Sequence, residues 1–240
     1  MSLIELDKSV IPAYDISSLD KLCDIIRVVS QVKGIGGHKV GLELVIPFGL
    51  ESVVKIIKDH SDLPVIYDHQ KGATDIPELG PKFMKVVKSA GADAAIIFPF
   101  GGAETQEAWI KSAQDNELAV IVGGHMTQKR FLNREGGYIA DDAPLRIYQL
   151  AAELGVTDFV VPGNKPEFVT IYRELLEKML GAGNFSLYAP GFISQGGDIT
   201  ETGKIAGDKW HAIVGGAIYK QEGDEKIRAA AQKLTAQIIN

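Results

Sequence analysis

Short apolar runs alternate along the whole chain with longer stretches whose apolar residues recur at helical spacing. The short runs are rich in β-branched and aromatic residues and predict buried strands, whereas the longer stretches predict helices with one apolar face. The predicted strands are residues 10–14, 38–41, 65–67, 94–98, 119–122, 158–161, 185–189 and 211–214. The predicted helices are residues 19–32, 50–58, 81–89, 104–115, 144–154, 166–180, 200–206 and 222–239.

Eight strand–helix units in 240 residues predict the α/β class and, within it, a (β/α)8 TIM barrel, whose usual length is ~250 residues. A doubly wound open sheet is the alternative. Such a sheet usually carries a Gly-x-Gly-x-x-Gly turn after its first strand when it binds a dinucleotide, and this chain has none there. Glycine and proline mark the element boundaries without a linker or low-complexity segment, so we expect residues 1–240 to form one domain.

Composition narrows the classes of partner and compartment. The net charge is −6 and no basic cluster occurs, which argues against nucleic-acid binding and against an anionic membrane surface. Cys23 is the single cysteine, so an intrachain disulfide and a zinc site built from several cysteines are excluded. No leader pattern and no apolar run of ~20 residues is present, and we therefore expect a cytoplasmic protein.

Charged side chains follow the first three predicted strands. Asp15 ends the first strand, Lys39 lies in the second and Asp68 follows the third, with Lys71 and Asp75 in the loop beyond. In a barrel the carboxyl ends of the strands meet at one mouth, so these side chains can form an alternating array of charges. Opposite charges within ~4 to 6 Å favour the charged forms, and such a site can hold a cationic acid beside a developing carbanion. A structural ion-pair network at the barrel rim is the alternative interpretation.

These segments also resemble a known family. Residues 13–15 (Ala-Tyr-Asp), residues 39–41 (Lys-Val-Gly), residues 68–77 with their Asp-Ile-Pro end, and residues 189–198 (Ala-Pro-Gly-Phe-Ile-Ser-Gln-Gly-Gly-Asp) are similar to successive motifs of orotidine 5′-phosphate decarboxylase. The resemblance covers nearly the whole chain in order. It implies decarboxylation of orotidine 5′-monophosphate to uridine 5′-monophosphate, the last step of pyrimidine synthesis.

The resemblance implies a role for each charged residue. Lys39 orients Asp68 and binds the ribose, Asp68 lies against the substrate carboxylate, and Lys71 protonates C6 as carbon dioxide leaves. Asp75 reaches into the site of a neighbouring subunit, which implies a homodimer, and Asp15 binds the ribose hydroxyls or a neighbour on the pyrimidine side. No cofactor and no metal are implied, because the family stabilises the carbanion with charge and hydrogen bonds.

The resemblance implies further contacts to the nucleotide. Thr127 supplies a hydroxyl to the pyrimidine, the glycine-rich loops after strands 7 and 8 bind the phosphate, and residues 128–138 form a loop that closes over the substrate. The substrate-binding residues expected on this basis are Ile76, Thr127, Pro190, Gln195, Gly196, Gly215 and Gly216.

Two departures from the family pattern affect these expectations. The family spacing is Asp-x-Lys-x-x-Asp, whereas this chain has one extra residue in each interval, so Gln70 competes with Lys71 for the lysine position. Lys71 can join Asp68 only if the strand has ended or bulges there. At the end of strand 8 the family has arginine, whereas this chain has Gly216, and another cation would have to bind the phosphate.

Three hypotheses follow from this pattern. The first is an orotidine 5′-phosphate decarboxylase with a divergent site. The second is a sister enzyme of the 3-keto-gulonate 6-phosphate decarboxylase or hexulose phosphate synthase type, relatives that often bind magnesium. The third is a non-catalytic barrel that binds a phosphorylated ligand, and this hypothesis is considered because the family's arginine is missing.

Overall fold

The computed structural model describes residues 2–69, 72–192 and 197–239 of the chain. Eight parallel strands pair in sequence order and close into a barrel, with the eighth strand beside the first. The strands are β1 (Lys8–Tyr14), β2 (His38–Gly41), β3 (Val65–Asp68), β4 (Ala94–Ile97), β5 (Ala119–Gly123), β6 (Asp158–Val160), β7 (Ser186–Ala189) and β8 (Trp210–Val214). The predicted (β/α)8 barrel is therefore confirmed, and the doubly wound open sheet is wrong.

Helices surround this barrel, and each connection between one strand and the next contains at least one helix. They are α1 (Leu19–Val29), α2 (Leu42–Phe48), α3 (Leu50–Lys58), α4 (Gly80–Ser89), α5 (Ala103–Asp115), α6 (Ala143–Glu153), α7 (Pro166–Leu180), α8 (Ile199–Ile205), α9 (Gly216–Tyr219) and α10 (Asp224–Ile239). Within the described ranges, no helix is both long enough and apolar enough to cross a lipid bilayer.

The alternation of side chains along each strand divides the apolar residues into two layers. Ile11, Ile66 and Ile96 belong to the cluster that fills the barrel interior, whereas their neighbours Val10 and Tyr67 pack between the barrel and the helices. Successive residues of a strand point to opposite faces, so every second position reaches the interior. Any polar residue in phase with the inner set must therefore point into the barrel.

Two such polar residues are Lys39, within β2, and Asp68, the last residue of β3. Lys39 pairs in register with Ile66, and Asp68 lies two residues after Ile66 on the same face of β3. Both side chains therefore project into the interior near the mouth. Lys71 could approach the Asp68 carboxylate only if the strand ended before it, and β3 does end at Asp68. Gln70 and Lys71 themselves lie outside the described residues.

Candidate active site

A cavity of about 470 Å³ opens at the carboxyl ends of the strands. This volume lies within the ~300 to 1,000 Å³ range of small-molecule sites, and this end of a barrel is where its active sites gather. Residues of β1, β2, β3, β4, β6 and β8 or of the loops after the strands line it: Ala13, Asp15, Lys39, Asp68, Ile96, Phe98, His125, Met126, Thr127, Val160, Pro190, Gly191, Phe192, Ile213, Gly215, Gly216 and Tyr219. One wall is thus charged and the other largely apolar.

The charged wall centres on an ion pair between Lys39 and Asp68. The Lys39 Nζ donates to Asp68 Oδ2 at 2.9 Å, and the two side chains are only 7% and 14% exposed. Burial disfavours the ammonium, but the carboxylates of Asp68 and Asp15 outweigh that effect, so the pKa of Lys39 lies above its ordinary value. Lys39 therefore stays cationic at neutral pH and holds one oxygen of Asp68 in place.

The structure brings most of the described candidates together in this cavity. Of the predicted residues that it describes, those lining the cavity are Asp15, Lys39, Asp68, Thr127, Pro190, Gly215 and Gly216. Lys71, Gln195 and Gly196 lie outside the described residues. The contribution of Lys71 and of the Gln195–Gly196 pair therefore stays a prediction from the sequence.

Asp75 and Ile76 do not line the cavity of their own chain. The backbone carbonyl of Asp75 accepts the hydroxyl of Thr105 at 2.9 Å, and the carbonyl of Ile76 accepts the indole N–H of Trp109 at 3.2 Å. These two bonds attach the segment to α5, while the Ile76 side chain remains 56% exposed. The segment is thus well anchored but faces the surface.

Sequence reasoning missed the apolar wall of the cavity. Phe98 and Met126 come just after β4 and β5, and Val160 and Ile213 lie near the ends of β6 and β8. The rule that barrel sites gather at strand ends would have pointed to them, but apolar residues carry no chemical signature to separate them from ordinary core. His125 also lines the cavity, and it contacts Lys165 in the loop after β6 and Tyr172 on α7.

The segment expected to close over the substrate, residues 128–138, is attached to the barrel at its centre. Phe131 and Leu132 are buried, at 6% and 0% exposure, and the carboxylate of Glu135 accepts the backbone N–H of each. Closure by movement of the whole segment would have to expose Phe131 and Leu132 and break the ion pair between Glu135 and Lys165. Its exposed positions, among them Tyr138, are the part that is free of the core.

Candidate metal ligands are not clustered in the described part of the chain. There, no three His, Cys, Asp or Glu side chains come together closely enough to hold a metal ion. The acidic residues at the mouth, Asp15 and Asp68, instead share the ammonium of Lys39 as their neighbouring cation.

A closed (β/α)8 barrel whose mouth holds a buried Lys–Asp pair beside an apolar wall belongs to the class of barrel enzymes. The sequence profile of the orotidine 5′-phosphate decarboxylase / HUMPS family matches residues 8–233, so the chain belongs to that family. The resemblance found in the motifs is confirmed by this match.

Individual relatives agree with the family assignment. The orotidine 5′-phosphate decarboxylase of Methanosarcina barkeri is 31% identical over 98% of this chain and 96% of its own length. That of Pyrococcus furiosus is 29% identical over 95% and 97%. The crystal structure of orotidine 5′-monophosphate decarboxylase from Methanocaldococcus jannaschii, complexed with the inhibitor BMP, superposes with a TM-score of 0.81 at 25% identity. It covers 97% of this chain and 99% of that one. The prediction of an enzyme of the decarboxylase type is confirmed by these relatives.

Proposed function

We propose that this protein decarboxylates orotidine 5′-monophosphate to uridine 5′-monophosphate without a cofactor. The observation that carries the proposal is the buried Lys39–Asp68 pair that lines the cavity, in a chain whose relatives bear that activity in their names. Because Lys39 holds the carboxylate of Asp68 in place, a substrate carboxylate placed beside Asp68 meets a fixed negative charge. That repulsion disappears when carbon dioxide leaves.

The reaction needs one bond cleavage and one proton. The bond between C6 and the carboxylate breaks, its electron pair stays on C6, and the ammonium of Lys71 then donates a proton to that carbon. Lys39, Asp68, Lys71 and Asp75 are proposed as the alternating charges that stabilise the carbanion. Support comes from Lys39 and Asp68, whose opposite charges lie side by side, with the Lys39 Nζ donating to the Asp68 carboxylate.

The apolar wall fits the other requirement of this substrate, a binding surface for a flat ring. Ile96, Phe98 and Met126 line the cavity together with the charged residues, and Thr127 lines it as well. We infer that the pyrimidine packs here with its C6 toward Asp68. Apolar surroundings also strengthen each electrostatic contact, since little water is left to screen it.

The phosphate end needs a cation, because Gly216 stands where the family carries arginine. A Cβ atom placed on Gly216 would lie 3.7 Å from the Nζ of Lys220 and 3.4 Å from its Cε, so the Lys220 side chain folds back over this glycine. We infer that Lys220, one helical turn later, supplies the positive charge. Its removal should raise the KM about 10- to 100-fold, the usual cost of one charge-assisted hydrogen bond.

A rescue experiment tests this assignment. In the variant Lys220→Ala, adding Gly216→Arg restores the cation at the position the family uses, and the KM should return towards the original value. If Lys220→Ala leaves the KM unchanged, or if the arginine rescues nothing, the phosphate is bound by other residues. Lys55→Ala, which removes an exposed lysine on α3, serves as the control.

We also propose that the protein is a homodimer in which Asp75 completes the neighbouring site. The supporting observation is that Asp75 and Ile76 are anchored to α5 yet lie outside the cavity of their own chain. Mixing Asp75→Ala with Lys39→Met subunits tests this directly. Each variant alone should be inactive, whereas a mixed dimer of two-fold symmetry regains one intact site, so an equal mixture recovers about one quarter of the activity. If activity does not recover on mixing, Asp75 either serves the site of its own subunit or has no part in a site.

The central test is an absorbance assay with purified, chelator-treated protein and orotidine 5′-monophosphate. Turnover is expected, with Lys71→Ala lowering kcat by orders of magnitude and Gln70→Ala having little effect. The reverse pair of results would assign Gln70 to the family lysine position. Absence of turnover at millimolar substrate would refute the proposed activity, and turnover of 3-keto-gulonate 6-phosphate only with added magnesium would indicate a sister enzyme.

A further inference from the structure

The loop after β5 is held in place by a lysine from the loop after β6. The Nζ of Lys165 lies 3.0 and 3.1 Å from the two carboxylate oxygens of Glu135 and 2.9 Å from Nε2 of His125. The Lys165 and Glu135 side chains are 12% and 25% exposed, so the pair is shielded from water on most sides. Lys165 thereby joins the start of the β5 loop, at His125, to a point further along the same loop, at Glu135.

The hydrogen bonds define the protonation state of His125. A lysine ammonium only donates, so Nε2 must be the acceptor, and the ring proton is on Nδ1, which donates to the Tyr172 hydroxyl at 2.7 Å. Burial lowers the pKa of His125 to about 4, and the neighbouring Lys165 lowers it in the same direction. His125 is therefore neutral at physiological pH and acts as a fixed acceptor for Lys165.

Asn164, the residue before Lys165, holds the same loop at a second point. Its Nδ2 donates to the backbone carbonyl of Thr127 at 3.0 Å. A Cβ atom placed on Gly191 would lie 3.0 Å from Cγ2 of Thr127 and 3.2 Å from Oδ1 of Asn164, so both side chains pack against this glycine of the β7 loop. Thr127 is thus held between Asn164 and Gly191, at the edge of the cavity that it lines.

The β6 loop can act as a fixed support because its backbone is itself bonded on two sides. The N–H of Gly163 donates to the carbonyl of Pro190 at 2.9 Å, and the carbonyl of Gly163 accepts the hydroxyl of Thr202 at 3.1 Å. A side chain at position 163 would come within 2.7 Å of the Phe192 ring, so only glycine allows this approach. The two residues that follow project from a part of the fold with little freedom to move.

We propose that Asn164 and Lys165 form a clasp that positions the β5 loop, so that the hydroxyl of Thr127 meets the pyrimidine of the bound nucleotide. The clasp is defined as these two side chains with their acceptors, the Thr127 carbonyl, His125 and Glu135. Neither clasp residue touches the reacting atoms, and both act through Thr127 as positioning residues. The proposal rests on the proposed function, because it assigns Thr127 to the nucleotide's base.

A double-mutant cycle separates positioning from simple structural support. Thr127→Val keeps the shape of the side chain and removes only its hydroxyl, and Asn164→Ala removes the bond to the Thr127 carbonyl. Each should lower kcat/KM about 10- to 100-fold, since a misplacement of ~1 Å is enough for such a loss. The double variant should be no worse than Thr127→Val alone, because the proposed effect of Asn164 on turnover passes through that hydroxyl.

Controls keep this cycle interpretable. Asn116→Ala removes a matched side-chain bond to a backbone carbonyl, 2.8 Å to that of Ser112, at the end of α5, and should leave kcat/KM unchanged. If Asn164→Ala does not fold, Asn164→Asp keeps the shape and removes the donor. Full additivity of the two losses, or a Thr127→Val variant as active as the original protein, would overturn the proposal.

A second readout does not depend on turnover. Lys165→Met and Glu135→Gln should speed hydrogen exchange of the Phe131 and Leu132 amides, which donate to Glu135, by about 10-fold or more. If the original protein fails to turn over orotidine 5′-monophosphate while exchange rises as expected, the proposed function fails and the mechanical part of the clasp stands. If turnover occurs but neither exchange nor kcat/KM responds to these changes, the clasp is refuted alone.

Discussion

Acid should destabilise this protein well above the pH at which carboxylates titrate, because three histidines are buried in the neutral form. Burial lowers the pKa of His38 to about 3, with Lys58 adding to the effect, and it lowers that of His211 to about 3. The pKa of His125 is lowered to about 4. All three side chains are at most 1% exposed, so protonation in the folded state would place a charge where it is largely shielded from water.

The magnitude follows from proton linkage. An unfolded histidine has a pKa of ~6.5 and each pKa unit is worth about 1.4 kcal/mol, so lowering the pH from 7 to 5 removes about 2 kcal/mol per histidine. Three histidines together remove about 6 kcal/mol, which is of the same order as the ~5 to 15 kcal/mol that stabilises a typical domain. Stability falls as the pH falls, because the unfolded chain binds these protons and the folded chain does not. The loss ends once the pH falls below the folded-state values.

Urea unfolding at a series of pH values between 7 and 5 measures this directly. Near the lower end of that range the unfolded chain binds almost three protons more than the folded chain. The free energy of unfolding should therefore fall there by about 4 kcal/mol per pH unit. Asp158, whose pKa is raised by burial, works in the opposite direction at lower pH, so a comparison of variants is more informative than one curve.

His211→Asn provides that comparison. Asparagine can keep the contact that Nδ1 of His211 makes to the Ser9 hydroxyl at 2.8 Å, but it does not titrate. The variant should therefore lose one third of the slope, about 1.4 kcal/mol per pH unit. A stability that stays flat from pH 7 to 5, or an unaltered slope in the variant, would show that these histidines are not neutral in the fold.

Two further predictions concern the site and the packing of its supporting helices. Lys39→Met should abolish turnover and lower the free energy of unfolding by about 3 to 5 kcal/mol, because it leaves Asp68 as a buried charge without its lysine. Adding Asp68→Asn should recover stability in urea but not activity, and a double variant as unstable as the single one would contradict this account. Gly80→Ala should lower stability by about 1 to 3 kcal/mol in calorimetry, because its Cβ would lie 2.9 to 3.1 Å from the ring and backbone of Trp109. An unchanged or higher melting temperature would show that α4 and α5 can separate at no cost.

Much of the fold could be predicted from local pattern. The predicted bounds 50–58 and 166–180 coincide with α3 and α7, because each has a clear apolar face, and Pro166 and Gly181 mark the ends of α7. The helix α2 (Leu42–Phe48) was missed. It begins directly after β2, is only seven residues long and contains Pro47, which reads as a helix breaker in sequence.

The charged half of the site was also predictable, because side chains alternate between the two faces of a strand and the sequence shows which positions face inward. Lys39 and Asp68 are in phase with the inward-facing residues of β2 and β3, and the parallel register places both near the mouth. Once a barrel is predicted, their proximity follows from the alternation of side chains. Asp15 joins them by the same rule at the end of β1.

The sequence by itself determined the order of strands and helices, the inward positions along each strand and the charges at the mouth, because these depend on local periodicity. Only the tertiary structure decided that Lys165 pairs with Glu135 and His125, and that Asn164 holds Thr127. These partners are 30 to 40 positions apart in sequence and lie on loops without periodic pattern. Their meeting depends on how barrel closure aligns neighbouring loops, which no local pattern of residues encodes.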